Sequence, residues 1–272
     1  MTENVQSPTP FSLREAVQQW YTVPKRQPSA RERRILETGD NYSLDFGEVD
    51  LAVVSWGTEG QLVVLMHGWG GNRGQMSHFV KPLLAAGFRV VAFDAPAHGA
   101  TPGEQTNGFE MAQAMLRVID HVGHAYAIVA HSLGTLATTI ALQQGLQVEK
   151  LVFSGAMRRL SDALEAFLQM NALNQEVHEA VRADVQARFG EDVWEVTSLD
   201  MQLPQFDIPA LLLHDRNDEI TPFISSVAIA RAWSSAKLVS TQGLGHRRIL
   251  RDQGVIEQVV QFLRSDLLRT SQ

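Results

Sequence analysis

The stretch Ala127-Ile128-Val129-Ala130-His131-Ser132-Leu133-Gly134-Thr135-Leu136-Ala137-Thr138 decides the fold. Its first four residues are apolar on both faces, which predicts a strand covered on both sides, and Leu133 to Gln144 continues as a helix. A serine therefore stands between a buried strand and a helix, with small residues two before it (Ala130) and two after it (Gly134). That is the spacing of a nucleophile elbow, a turn so sharp that a larger side chain at either flank would meet the adjacent backbone. As a bare match the pattern is usually an ordinary turn or helix cap. Its position directly after an apolar strand makes Ser132 a candidate nucleophile.

On both sides of this stretch, apolar strands alternate with helical segments. Leu51 to Val54 and Leu62 to Met66, separated by Gly57-Thr58-Glu59-Gly60, read as an antiparallel pair entering a sheet. Arg89 to Phe93, a helix through Met111 to Val122, and Leu151 to Phe153 follow, and strands resume at Ala210 to Leu213 and Lys237 to Ser240. An amphipathic helix around Val255 to Leu263 closes the chain. This rhythm predicts an α/β fold with a mostly parallel central sheet flanked by helices, whose ligand sites lie at the carboxyl ends of the strands. Between Phe153 and Ala210 the rhythm breaks: Leu160, Leu164, Phe167 and Leu168 form one helical stripe, and Val177, Val181, Val185 and Phe189 another. The expected organisation is a first part of the core at 1–157, a helical insertion at 158–203 after the sixth strand, and a second part of the core at 204–272. Phe11 to Tyr21 reads as a short helix laid on its own core, followed by an extended arm, because Pro24 and Pro28 cannot continue a helix.

Composition narrows the function. With 272 residues, 44% of them hydrophobic, the chain can bury a sizeable core. Lys and Arg number 23 against 30 Asp and Glu, and the net charge of −7 speaks against a nucleic-acid partner. The absence of cysteine leaves no disulfide framework, thiolate metal site or cysteine nucleophile. Met1 to Pro10 lacks the pattern of a secretory leader and no apolar run reaches the length of a membrane span, so a cytoplasmic location is expected.

Reactive groups gather after strands. Leu62 to Met66 runs into His67-Gly68-Trp69-Gly70-Gly71, whose glycines let backbone amides approach a ligand. A phosphate cradle is disfavoured there, because the Lys and Ser/Thr of a Walker loop are missing. Ala210 to Leu213 ends at His214-Asp215-Arg216-Asn217-Asp218, where Asp215 and Asp218 compete to orient a histidine. The last strand leads to Gly243-Leu244-Gly245-His246, which sets His246 apart from His78, His121, His124 and His178 on helices or exposed faces. His121 and His124 are three apart but have no carboxylate pair beside them, so no metal site is expected.

Ser132, Asp218 and His246 follow the chain order of the α/β-hydrolase triad, and the sequence after about Ile35 resembles that superfamily. His67-Gly68-Trp69-Gly70-Gly71 is similar to the superfamily's oxyanion loop, and Phe93-Asp94-Ala95-Pro96-Ala97-His98-Gly99 to its Asp-x-x-Gly-x-Gly-x-Ser turn. Departures are Ala97 for that turn's first Gly, Thr101 for its Ser, Ala130 for the elbow's first Gly, and Asp215 where Gly often stands. The resemblance implies an α/β-hydrolase fold with Ser132, His246 and Asp218 as triad and Asp215 as the reserve acid. It implies backbone amides of Trp69 and Leu133 as oxyanion donors, and the 158–203 insertion as a small helical lid. His67, Phe167 and Leu168 are the expected substrate-pocket residues. The implied activity is cleavage of carboxylic esters of small or medium acyl chain through an acyl-enzyme, with a small-molecule substrate and no cofactor. A thioesterase, lactonase, amidase or carbon-carbon bond hydrolase on the same triad, or a non-catalytic binding protein of this fold, is the alternative.

Overall fold

The computed structural model describes residues 12–265. Met1 to Pro10, read above for a leader, and Phe11 lie outside the described residues. Two short helices open the chain, α1 (Leu13–Tyr21) and α2 (Ala30–Leu36), each started by a capping box in which Ser12 pairs with Glu15 and Ser29 with Glu32. Strands β1 (Asp40–Phe46), β2 (Val49–Trp56) and β3 (Leu62–Met66) lead to α3 (Val80–Ala85), then β4 (Arg89–Phe93), α4 (Gly108–Val122), β5 (Ala127–His131), α5 (Leu133–Gln143) and β6 (Lys150–Ser154). Four helices follow without a strand: α6 (Leu160–Met170), α7 (Gln175–Phe189), α8 (Val193–Val196) and α9 (Leu199–Gln202). The chain then returns through β7 (Ala210–Asp215), α10 (Phe223–Ala232), β8 (Ala236–Thr241), α11 (Gly245–Arg248) and α12 (Gln253–Arg264).

The strands form one sheet in the order β1-β2-β4-β3-β5-β6-β7-β8. Strand β2 runs antiparallel to both β1 and β4, and the rest of the sheet is parallel. The expected pairing of Leu51–Val54 with Leu62–Met66 is corrected here: β4 lies between them, and the hairpin partner of β2 is β1, a polar strand that the sequence reading passed over. Ile35, near which the family resemblance begins, belongs to α2.

Strands β3, β5, β6 and β7 are buried throughout, and the period of two sends alternate residues to two cores. Leu62, Val64 and Met66 join one with α4, α5 and Trp233, while Val63 and Leu65 join the other with Phe79, Leu83, Val255 and Val259. A third cluster unites the insertion with the N-terminus: Ala16 and Tyr21 of α1 pack with Leu164, Leu168, Val177, Val181 and Val185. Helix α1 thus does lie on the chain's own apolar surface, but on the inserted helices rather than the sheet.

Candidate active site

Ser132 joins β5 to α5 with φ 53° and ψ −124°, a left-handed backbone that a residue bearing Cβ adopts only when its surroundings impose it. The small residues around it have visible causes. A Cβ on Gly134 would stand 2.5 Å from the His67 carbonyl oxygen, and one on Gly68 would stand 2.8 Å from the Ser132 Cβ. Ala130 is accommodated because its methyl is wholly buried in the core. The Ser132 amide donates to the Ser154 carbonyl at 3.0 Å, tying the turn to β6.

One strand further along, the β7 loop presents Asp218. Its Oδ2 lies 2.7 Å from His246 Nδ1 and 3.4 Å from His214 Nε2, and its Oδ1 accepts from the Ile220 and Thr221 amides at 2.9 and 2.8 Å. Burial alone would raise this carboxyl's pKa, but hydrogen bonds from His214 and His246, the His246 charge and the Thr221 amide outweigh it and hold the group well below the usual carboxylate range. A carboxylate only accepts, so His246 carries its hydrogen on Nδ1 when neutral and leaves Nε2 bare. Asp215, the competing acid, has other partners: Thr241 Oγ1 at 2.7 Å, the Leu244 amide at 3.0 Å and the Asn217 amide at 2.9 Å. Against the opposing effect of burial, these donors and the Gly245 amide depress its pKa to about 2. Asp215 therefore staples the loop that carries His246 and does not touch the imidazole.

His246 packs its ring 4.5 Å from that of His131, and His131 Nε2 donates to the His246 carbonyl at 2.9 Å. Gly155, at φ 57°, passes against His246 and Asp218: a Cβ there would stand 3.2 Å from two atoms of the His246 ring and 3.4 Å from Asp218 Oδ2. Ser132 is the residue next to His131, yet no hydrogen bond joins its Oγ to His246 among the described residues. In unliganded enzymes such bonds often tighten only when substrate is bound.

The glycine loop after β3 is held by two buried histidines. The Ala95 amide donates to His67 Nε2 at 3.1 Å while Nδ1 bonds the Gly68 carbonyl at 2.8 Å. The Gly70 amide donates to His98 Nε2 at 3.0 Å, and His98 Nδ1 meets the Pro96 carbonyl at 2.9 Å. Burial in each case, aided for His98 by the neighbouring His67, lowers the pKa of His67 to about 4 and of His98 to about 3. Gly71 closes back on Gly68 with a 3.0 Å bond, and the amides of Trp69 and Leu133 donate to no described residue. The departures from the family turn are absorbed locally: Ala97 takes φ 64°, a value suited to Gly, and the Thr101 hydroxyl bridges the Asp94 carbonyl and the Ala52 amide.

Ser132, Leu133 and Trp69 border a cavity of about 890 Å³, walled mainly by apolar side chains of α1, α4, α5, α6 and α7. Of the expected pocket residues, only Phe167 lines it. His67 is corrected because its ring is turned into the core by the Ala95 and Gly68 bonds, and Leu168 because it packs against α7 and α1. Sequence reasoning missed His131, His98, His214 and Trp20. A signal was present for two of them: His131 and His214, like His67, fall at the carboxyl ends of parallel strands, β5, β7 and β3. His121 and His124 have separate partners: the first lies tilted against Tyr42 and the second pairs with Glu149.

Comparison with known proteins agrees with this architecture. A serine hydrolase-like protein of Dictyostelium discoideum is 28% identical over 142 residues, 47% of this chain and 39% of that protein, so the chain spans well under half the length of this relative. A pimeloyl-[acyl-carrier protein] methyl ester esterase of Neisseria meningitidis is 26% identical over 226 residues, covering 69% of this chain and 87% of the relative. The structure of mouse alpha/beta hydrolase domain-containing protein 10 superposes with a TM-score of 0.66 at 19% identity, covering 86% of this chain and all of that one. The model of the alpha/beta hydrolase family matches residues 63–258, which take in the elbow, the acid loop and the histidine loop, and the chain belongs to that family.

Proposed function

We propose that the protein is a serine hydrolase of carboxylic esters, with Ser132 as nucleophile, His246 as general base and acid, and Asp218 as the group that orients His246. The observation that carries this reading is the 2.7 Å contact between Asp218 Oδ2 and His246 Nδ1, beside an elbow that opens on an apolar cavity. With Nδ1 committed to Asp218, Nε2 is the free base. It takes the Ser132 proton as Oγ attacks the acyl carbon, then returns it to the leaving alcohol, giving an acyl-enzyme that water hydrolyses by the same route. The unpaired amides of Trp69 and Leu133 supply the oxyanion hole, each worth about 10²–10³ in kcat where such donors have been removed. In this reading the insertion at 158–203 is a lid set between the two parts of the core.

The named relatives support hydrolysis without choosing the bond, and a thioester, lactone, amide or carbon-carbon substrate would use the same groups. The reading is tested by labelling with a fluorophosphonate probe and mapping the labelled peptide, followed by a panel of esters and thioesters. Labelling at Ser132 that disappears in Ser132→Ala is expected, with turnover of at least one acyl ester. Failure of the folded wild-type protein to label would overturn it in favour of a non-catalytic binding protein of this fold.

A further inference from the structure

Helix α1 and the arm after it lie outside the residues matched by the family model, yet they complete the cavity. Trp20 is half-buried and meets Phe167 of α6 edge to face, with 5.4 Å between ring centroids, and both rings border the space onto which Ser132 opens. Helix α6 has one broad apolar face whose two flanks meet different neighbours. Leu164 and Leu168 turn into the cluster with α7 and α1, while Leu160, Ala163, Phe167 and Met170, spaced i, i+3, i+7 and i+10, face the cavity. Leu160 and Phe167 also pack against the cluster, so the same face both anchors the helix and forms part of a wall.

Trp20 is held from the next residue onward. Tyr21 Oη donates to Asp184 of α7 at 2.8 Å, and Arg188 bonds the same carboxylate at 2.7 Å while covering the Tyr21 ring at 4.7 Å. On the other side the Thr106 amide donates to the Tyr21 carbonyl at 3.1 Å, and the Val23 amide to the Glu104 carbonyl at 2.9 Å. These bonds fix the backbone beside Trp20, and its ring rests against Phe167. The remaining lining includes the apolar Phe109, Leu136, Ile140, Val185 and Phe189, together with the charged Arg158, Asp162, Glu165 and Glu219. A mainly apolar space of this size gains affinity from each methylene it takes out of water.

We infer that Trp20, backed by Phe167, sets the length of the acyl chain that the cavity accepts, and that the substrate carries an unbranched acyl chain running from Ser132 toward these two rings. The inference rests on the serine hydrolase reading for the reacting end, but its test is made on binding. The full chain carrying Ser132→Ala is titrated by calorimetry with methyl esters of linear acids from butanoate to hexadecanoate. Affinity is expected to rise, by up to about fourfold per methylene, and then to break at one length. Adding Trp20→Ala should move the break to longer chains, Trp20→Phe should move it less, and Phe167→Ala, from the other side of the pair, should move it in the same direction. In the enzyme with Ser132 intact, the same variants should raise the ratio of kcat/KM for long over short esters. An unchanged break in both alanine variants, affinity independent of chain length, or a rise that continues unbroken through hexadecanoate would overturn the inference. If Trp20→Ala does not fold, Trp20→Phe and Phe167→Ala decide the matter. Shifted breaks without any ester turnover by the Ser132 enzyme would sink the hydrolase reading and leave this one standing.

Discussion

Asp215 and Asp218 sit three residues apart on one loop, and their partners divide their tasks. Asp218→Asn replaces an acceptor that fixes the His246 tautomer, and kcat is expected to fall by about 10⁴, the loss seen where this role has been tested. Asp215→Asn instead weakens the staple between the β7 and β8 loops, and the expected signature is a loss of about 1–3 kcal/mol in urea unfolding. Steady-state kinetics and denaturation of the two variants check both statements, and a larger kcat loss in Asp215→Asn would reverse the assignment. Ser132 and His246 could be picked out as candidates because each follows a strand and is flanked by turn residues, whereas the acid loop offered two carboxylates in the same backbone setting. The pocket was not legible at this scale. Whether His67 or Leu168 faces the cavity depends on which groups distant in the chain claim the side chain, the Ala95 amide for one and the α1 and α7 cluster for the other. Asp218 could be preferred to Asp215 only by the family pattern, since the deciding contact lies 28 positions away in the chain.

Among the elements, α12 shows how a charged group is used inside the fold. Lys150, at the buried start of β6, donates from Nζ to the Phe262 carbonyl at 2.7 Å and to Ser265 Oγ at 2.8 Å, and Tyr126 Oη donates to the Leu263 carbonyl at 2.8 Å. These groups answer the carbonyls that the last turn of α12 cannot pair for itself. Lys150→Met, which keeps the stem and removes the ammonium, should cost about 1.5–3 kcal/mol, read from the shift of the urea midpoint. A change below about 0.5 kcal/mol would mean that water replaces the ammonium without loss. The parallel strands were legible because burial on both faces demands continuous apolar residues. Strand β1, Asp-Asn-Tyr-Ser-Leu-Asp-Phe, was not, since it lies at the sheet edge and buries only Leu44. Nor could local pattern reveal that β4 separates β2 from β3, because a crossover is fixed by how helices pack on the sheet rather than by either strand.

For the whole molecule, the buried histidines govern behaviour in acid. His67, His98 and His131 are held neutral chiefly by burial, with pKa values of about 4, 3 and 3. In the unfolded chain each would take up a proton near pH 6.5. Between about pH 6.5 and 4 the unfolded state therefore binds more protons than the folded one, and stability falls as pH falls. With three such groups the slope should approach three protons, on the order of 4 kcal/mol for each pH unit. Urea midpoints measured at pH 7, 6 and 5 should drop steeply, and His131→Asn should remove about one proton from the slope; midpoints that stay level would show that these rings are free to charge in the folded protein. The N-terminal arm also has a reach that the family match does not convey. Asn72 of the glycine loop donates to the Arg26 carbonyl at 3.0 Å, Pro24 packs on Gly70, and α1 packs on α7. Anyone building chimeras by grafting the 158–203 segment from a homologue would thus leave half of its natural seat behind. The packed unit is discontinuous, α1 with the helices between β6 and β7, and a graft of the second piece alone would set foreign helices on a resident beam cut for others.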